Sequence, residues 1–490
     1  MIWADPPEAN ACGGFVQKNN GMNENRKKND PMKTTALAAE GRLFDNKKIF
    51  LLLWPVLIEQ TLASTVGIAD TVMVSSCGDA AVSAVGLIDT INNMFIQIFT
   101  SIATGATVVV AHLTGRRDTA NIHRTVAQAT AVFTAAMLGM GLILVTLGAP
   151  IFDLLYPEVE ADVRANALAY FRITAASFPF FALMTVLTGA FRGSGNTKTP
   201  MRISLGVNVI NIALNSVFIF GLDLSVSGAA IATLIARIAG AVLMVLAALK
   251  LYGRGVFRLS NMRPSGEILK PVLTIGLPAG LDTSLFQAGR LIVSVFVGTM
   301  GTAAISGNTI GGSMFGLLCI PGNSFNVVGT TVAGQCYGAG KRREARINLL
   351  KCIFIAEGML AVLSVILYWI VPYILMAYNP SPEAQPIALD IVRLYLIMIP
   401  ISWPSAFVSA GGLRAVGDVR FVTLISIPSM WIVRVVGAWY LGIRLGMGPV
   451  GLNLAMGLDW VVRTAFYIPR ILTMKRLKTD VEVHPVSAEV

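Results

Sequence analysis

Charge is what this sequence has least of. Only 13% of its 490 residues are Asp, Glu, Lys or Arg, while 54% are hydrophobic and the mean hydropathy is +0.68. A soluble chain needs roughly 25% charged residues to cover its surface. A water-facing globule is therefore excluded, and lipid is the expected surrounding. Cysteine and histidine are scarce as well. Cys12, Cys77, Cys319, Cys336 and Cys352 form no CxxC pair, and the three histidines build no ligand cluster, so neither a metal nor a cofactor is expected. HExxH, GxSxG and Walker-type signatures are missing, which argues against an enzyme, and no ATP-binding domain is recognisable. Residues 1–48 lack the apolar stretch of a signal peptide. They read as a disordered cytoplasmic tail, with Met22 or Met32 as alternative starts.

What is present is a series of apolar runs, each long enough to cross about 30 Å of hydrocarbon at about 1.5 Å per residue. The spans read from the pattern are 49–74, 80–104, 126–149, 165–189, 201–221, 228–250, 270–298, 303–333, 350–372, 387–412, 421–441 and 450–472. The net charge of +11 is not a nucleic-acid patch, because the basic residues fall in clusters between alternate spans. Arg116, Arg117 and Arg124 form one cluster; Lys341, Arg342, Arg343 and Arg346 form another. The intervening connections carry acids such as Asp153, Glu160 and Asp223. By the positive-inside rule both termini are cytoplasmic, in a multi-pass protein of the inner (plasma) membrane.

The chain is also a duplication. Pro55 matches Pro278, Gly78-Asp-Ala-Ala-Val-Ser83 matches Gly301-Thr-Ala-Ala-Ile-Ser306, and Gly115 matches Gly338. The separations 278 − 55, 301 − 78 and 338 − 115 are all 223. The fold expected is an all-α membrane protein of twelve transmembrane helices, in two six-helix bundles related by a pseudo-twofold axis along the membrane normal. The domains are a tail at 1–48, a first lobe at 49–250, a cytoplasmic linker at 251–269, a second lobe at 270–472 and a tail at 473–490. Such halves place a substrate site between them near mid-membrane and alternate access by rocking.

Several motifs taken together resemble the multidrug and toxic compound extrusion (MATE) family over about residues 49–475. They are Pro55 with Asp70, the Gly78-Asp79 connection, the Gly115-Arg-Arg and Gly338-Ala-Gly-Lys-Arg loops, Arg192-Gly-Ser-Gly-Asn-Thr-Lys-Thr-Pro200, and Asn211-Ile-Ala-Leu-Asn215. The resemblance implies export of amphipathic, often cationic small molecules in exchange for H⁺ or Na⁺. The chain departs from it in two places. One branch of the family carries a Glu in helix 7 and an Asp in helix 10, where this chain has Phe286 and Trp403. Another carries an Asp in helix 5, where this chain has Asn215.

An ionisable group at membrane depth is costly and asks for a reason. Asp70, in the outer half of the first span, is the candidate for cation coupling. It could capture a proton, or share an oxygen site for Na⁺ with Asn208, Asn211 and Asn215. Glu59 and Asp282 are repeat mates, since 282 − 59 is 223. They are expected to face each other across the cleft and attract cationic substrate; the alternative is that each is tied to a basic neighbour in its own half. Gln287, Arg290 and Asn93 complete the expected substrate cavity. Arg290 lies eight residues after Asp282, about 80° around the helix and about 12 Å along it, and could take an anionic part of a substrate. Asp459 and Arg463 have the i, i+4 spacing of an intrahelical pair. The partners expected are the bilayer and a small-molecule substrate, with the protein a monomer. A flippase or exporter of a lipid-linked or anionic precursor is the second reading.

Overall fold

In the computed structural model, the described residues are 42–157, 159–253, 255–378 and 380–474. Both polar tails, 1–41 and 475–490, lie outside them. The described elements are helices: α1 (Asn46–Ser75), α2 (Asp79–Arg116), α3 (Thr119–Leu155), α4 (Ala161–Ala176), α5 (Phe178–Gly193), α6 (Lys198–Asn215), α7 (Ser225–Tyr252) and the short α8 (Leu259–Met262). The second half repeats the series as α9 (Gly266–Gly298), α10 (Thr302–Leu318), α11 (Ile320–Gly338), α12 (Arg342–Tyr378), α13 (Ala384–Ala415), α14 (Val419–Pro428) and α15 (Gly448–Leu472). Helix α6 runs on as a π-helical turn, Ser216–Gly221, and α14 runs on through Ser429–Val436 and Trp439–Arg444.

These elements make twelve spans, with α4–α5 and α10–α11 each forming one bent span of 45° and 43°. Ten of the twelve are long and apolar enough to cross a membrane. The other two, α9 and α15, have 33 and 25 residues and carry Asp282 and Arg290, and Asp459 and Arg463. Apolar side chains such as Val365, Trp369 and Leu424 are left exposed around the bundle, as lipid contact requires. The bends were not expected from sequence, where spans four and eight are single apolar runs. Pro179 and Pro321, at the start of α5 and α11, withhold the N–H that would continue the preceding helix.

The duplication reaches into the backbone. Gly78 and Gly301 enter α2 and α10 at φ +96° and +94°. Gly195 and Gly417 repeat at +83° and +85°. Where the second half uses Gly340, Gly446 and Gly448 at positive φ, the first half forces Arg117, Asp223 and Ser225 into the same left-handed region. Arg117 is the left-handed cap of α2, at φ 61°, a conformation that costs a residue with a Cβ about 1–2 kcal/mol.

The halves meet along two seams. Helix α9 packs on α2, and α11 packs on both α1 and α2. Small residues allow this approach: a side chain on Gly105 or Gly276 would strike the facing backbone of α9 or α2. At the end bearing the basic loops, Gly115 lies against the Gln335 carbonyl and Gly338 against that of His112. The repeat mates at this point bond across the seam in both directions. His112 Nε2 donates to the Ala415 carbonyl at 2.6 Å, and Gln335 Nε2 donates to the Gly193 carbonyl at 2.7 Å. Both side chains are buried. This end of the bundle is shut.

Two further links cross between the halves at the same end. The backbone N–H groups of Leu43 and Phe44 donate to Glu344 Oε1 at 2.6 and 3.0 Å, and Lys351 reaches Asn46 at 3.1 Å. Residues 43–48, assigned to the tail from sequence, thus include an ordered strap and the first turn of α1. The connection between halves carries α8, and its Ser265 N–H donates to buried Gln128 at 3.0 Å.

Two outcomes follow. Arg117→Gly relieves the left-handed cap and stabilises the protein by about 1 kcal/mol, read as a higher unfolding temperature in detergent; a lower one would count against strain at this cap. Replacing both His112 and Gln335 by Ala removes the reciprocal bonds. Amide exchange at residues 113–117 and 336–340 should then rise roughly tenfold. Unchanged exchange there would show that these bonds do not hold this end shut.

Candidate functional site

Asp70 lies on α1, and α6 presents Asn208, Asn211 and Asn215 at spacings of three and four, on one helix face. Asn215 Nδ2 donates to Asp70 Oδ1 at 2.7 Å and lies 3.4 Å from Asn211 Oδ1. Asn211 in turn reaches Thr233 on α7 at 3.5 Å. Three of the four expected coupling residues are therefore linked. Asn208 shares the face, but its buried Nδ2 has no hydrogen-bond partner. The Asn215 Oδ1 is also buried without a partner, beside the carboxylate. Immediately after Asn215 the helix loosens into its π turn, a form that recurs at functional positions.

A second carboxylate stands next to this group. Asp89 of α2 interacts electrostatically with Asp70 and with Arg237 of α7. Tyr170 of α4 donates its hydroxyl to Asp89 at 3.1 Å. Arg237 donates to Ser177 at 2.6 Å and lies over the Phe181 ring at 5.3 Å. Asn92 is bonded to Thr174 at 3.1 Å, whereas the next residue, Asn93, is exposed. Two neighbouring carboxylates thus stand beside a single guanidinium, which acts on Asp89, and the unpartnered Asn215 oxygen adjoins Asp70. That donor set suits a proton on a carboxylate, or a small cation taken by oxygens. No cluster of three or more His, Cys, Asp or Glu that could hold a metal exists among the described residues. Sequence reading did not single out Tyr170, because a tyrosine in a span usually marks a membrane interface.

Glu59 and Asp282 do not face each other as free cleft acids. Arg192 Nη2 binds Glu59 Oε2 at 2.7 Å, and Arg414 Nη2 binds Asp282 Oδ2. Ser426 also donates to Asp282, at 2.5 Å. The arginines are repeat mates too, since 414 − 192 is 222, so the pair itself is duplicated. The physical reason is the cost of an unmatched charge in hydrocarbon. Of the other cavity residues, Gln287 is half-buried on α9 and Arg290 is exposed on it. Trp403 is buried against Phe407, 4.8 Å between ring centroids, and Phe286 lies under the Arg434 guanidinium at 4.8 Å. The intrahelical pair forms in α15, with Arg463 Nε 2.9 Å from Asp459 Oδ1.

Known proteins share this architecture. The sequence model of the MatE family matches twice, over residues 55–217 and 278–440, one copy in each half. The chain is 28% identical to the "Uncharacterized transporter YisQ" of Bacillus subtilis, with 84% of this chain and 91% of that one aligned. It is 25% identical to the "Probable multidrug resistance protein NorM" of Thermotoga maritima, over 88% and 92%. Among solved structures, one described as "Crystal structure of MATE in the bent conformation" superposes with a TM-score of 0.79 at 20% identity, over 88% and 96% of the chains. Another, of an "Outward-facing conformation of a multidrug resistance MATE family transporter of the MOP superfamily", gives 0.77 at 20%, over 88% and 97%. Those two likenesses carry the fold; the family rests on the sequence match, repeated in each half. The chain belongs to the MatE family, the multidrug and toxic compound extrusion transporters.

Proposed function

We propose that this protein is a secondary antiporter of the plasma membrane that exports amphipathic small molecules, cations among them, in exchange for H⁺ or Na⁺. Both termini face the cytoplasm in this reading, and one chain suffices. The observation that carries it is the bond from Asn215 to Asp70, with the unpartnered Asn215 oxygen and Asp89 close by. A cation arriving here offsets the surplus of negative charge among Asp70, Asp89 and Arg237. It therefore favours whichever arrangement of α1, α2 and α6 binds it better, and that difference in affinity is what can drive a conformational switch. The bonds between halves at the basic end support a form closed toward the cytoplasm. A name given to a relative, multidrug resistance, supports a broad range of cargo. The second reading, a flippase for a lipid-linked or anionic precursor, is favoured by the concentration of arginines in the second half.

The test is efflux of ethidium from proteoliposomes under imposed pH or Na⁺ gradients. Wild type should require one of the gradients, and Asp70→Asn should cut gradient-driven efflux at least about tenfold, while Asn208→Ala has a smaller effect. Wild-type efflux that ignores both gradients would sink the antiport reading and bring the flippase forward.

A further inference from the structure

The two halves descend from one repeat, yet their polar groups have diverged in sign. Asp70, Asn215 and Arg237 of the first half correspond, at the offset of 223, to Val293, Ala438 and Trp460 of the second. Asn211 corresponds to an arginine, since 434 − 211 is 223. Arg434 stands in the π-helical segment Ser429–Val436 and is only 6% exposed.

Its surroundings do not match its charge. The Nε of Arg434 has no hydrogen-bond partner, and Nη2 meets only the Met456 sulfur, at 2.9 Å. The guanidinium is stacked on Phe286. The one carboxylate that acts on it, Asp459, is already bonded to Arg463 at 2.9 Å and to Ser429 at 2.5 Å. Arg463 is further tied to the Ser426 carbonyl at 3.2 Å. Arg290 acts on Arg434 as a third cation. The neighbouring Asp282 is matched by Arg414. Two buried guanidiniums, Arg434 and Arg463, therefore share one carboxylate, Asp459, with Arg290 as a further cation acting on Arg434, and the second oxygen of Asp459 is buried without a partner. A guanidinium cannot shed its proton to escape burial, so the surplus persists at any physiological pH.

The same place has unused donors and an aromatic wall. Trp460, four residues after Met456 on the same face of α15, has a buried Nε1 without a partner. Its ring stacks on Phe315 at 5.8 Å, and Phe315 also meets Tyr395 at 5.3 Å. Arg290 is exposed on α9, the helix that borders the first half through α2. The adjacent Gly289 lies against Met430 and Val435 of the segment that holds Arg434. A planar anion with two oxygens fits unused N–H donors of this kind.

We propose that the second half contains a carboxylate-binding subsite, with Arg434 as its principal donor and Arg290 at its entrance. It takes the anionic end of an aromatic amphiphile whose cationic end faces the Asp70–Asp89 side. The proposal rests on the export reading for its cargo and narrows that cargo to zwitterions.

The experiment uses the full-length protein in detergent and two dyes with the same cationic ring system: rhodamine B, which has a free carboxylate, and its ethyl ester, which does not. Fluorescence anisotropy, corrected for protein-free micelles, gives the affinity of each. Wild type should prefer the acid by about tenfold or more. Arg434→Gln should bring the ratio to about one, Arg290→Gln should lower it, and Arg434→Lys, which keeps a charge, should retain part of it. A wild type that binds both dyes equally, or neither, overturns the subsite, as does an unchanged ratio in Arg434→Gln; the surplus charge is then met by a small ion or water. Efflux of both dyes under a gradient is measured in parallel. Driven efflux without acid preference leaves the export reading standing and removes the subsite. Acid preference without driven efflux does the reverse.

Discussion

Two carboxylate–guanidinium pairs, Glu59 with Arg192 and Asp282 with Arg414, tie the first span of each half to its fourth span. Each ties two distant stretches of chain inside a low-dielectric layer, where a single unmatched charge is expensive. With those charges matched locally, each six-helix half can move as a unit without exposing a bare ion to lipid. The seams between halves are made from small residues, a serine–threonine contact between Ser101 and Thr283 at 2.6 Å, and the two side-chain-to-carbonyl bonds at the basic end, where Glu344 and Lys351 also bond across. Ion pairs within halves and hydrogen bonds between them are the division of labour that a rocking mechanism needs.

Against that common frame, the departures from symmetry lie in the buried polar groups. Asp70, Asp89 and Arg237 leave the first half short of positive charge, while Arg434, Arg463 and Arg290 around Asp459 leave the second half with too much. The bends are unequal as well: the first half breaks its fourth span at Pro179 and the second breaks its second span at Pro321. A duplicated scaffold has kept its turns and ion pairs and let its interior polarity drift apart.

The sequence carried the twelve spans, the duplication and the link from Asp70 to the asparagines of α6, because apolar run length, offset arithmetic and helical spacing are local properties. It also offered both arrangements of Glu59 and Asp282, but could not choose between them. That choice depends on where Arg192 and Arg414 return, and each arginine is more than a hundred residues away along the chain. Tyr170 and Arg434 were hidden for a related reason. Each is set apart only by its neighbours on other helices, and nothing in its own stretch of sequence separates it from an interfacial tyrosine or a snorkelling arginine. Offset arithmetic could have found Arg434, since its mate Asn211 was already under suspicion.

The strap from Leu43 and Phe44 to Glu344 gives the molecule a mechanical preference. It crosses between halves at the same end as the connection that contains α8, so the two halves are tethered twice there. Parting the opposite end leaves both tethers slack. Parting the basic end lengthens the route from the start of α1 to the start of α12, and the strap must release or be dragged along. The strap thus favours keeping the basic end together, a preference set by Leu43 and Phe44 just ahead of α1.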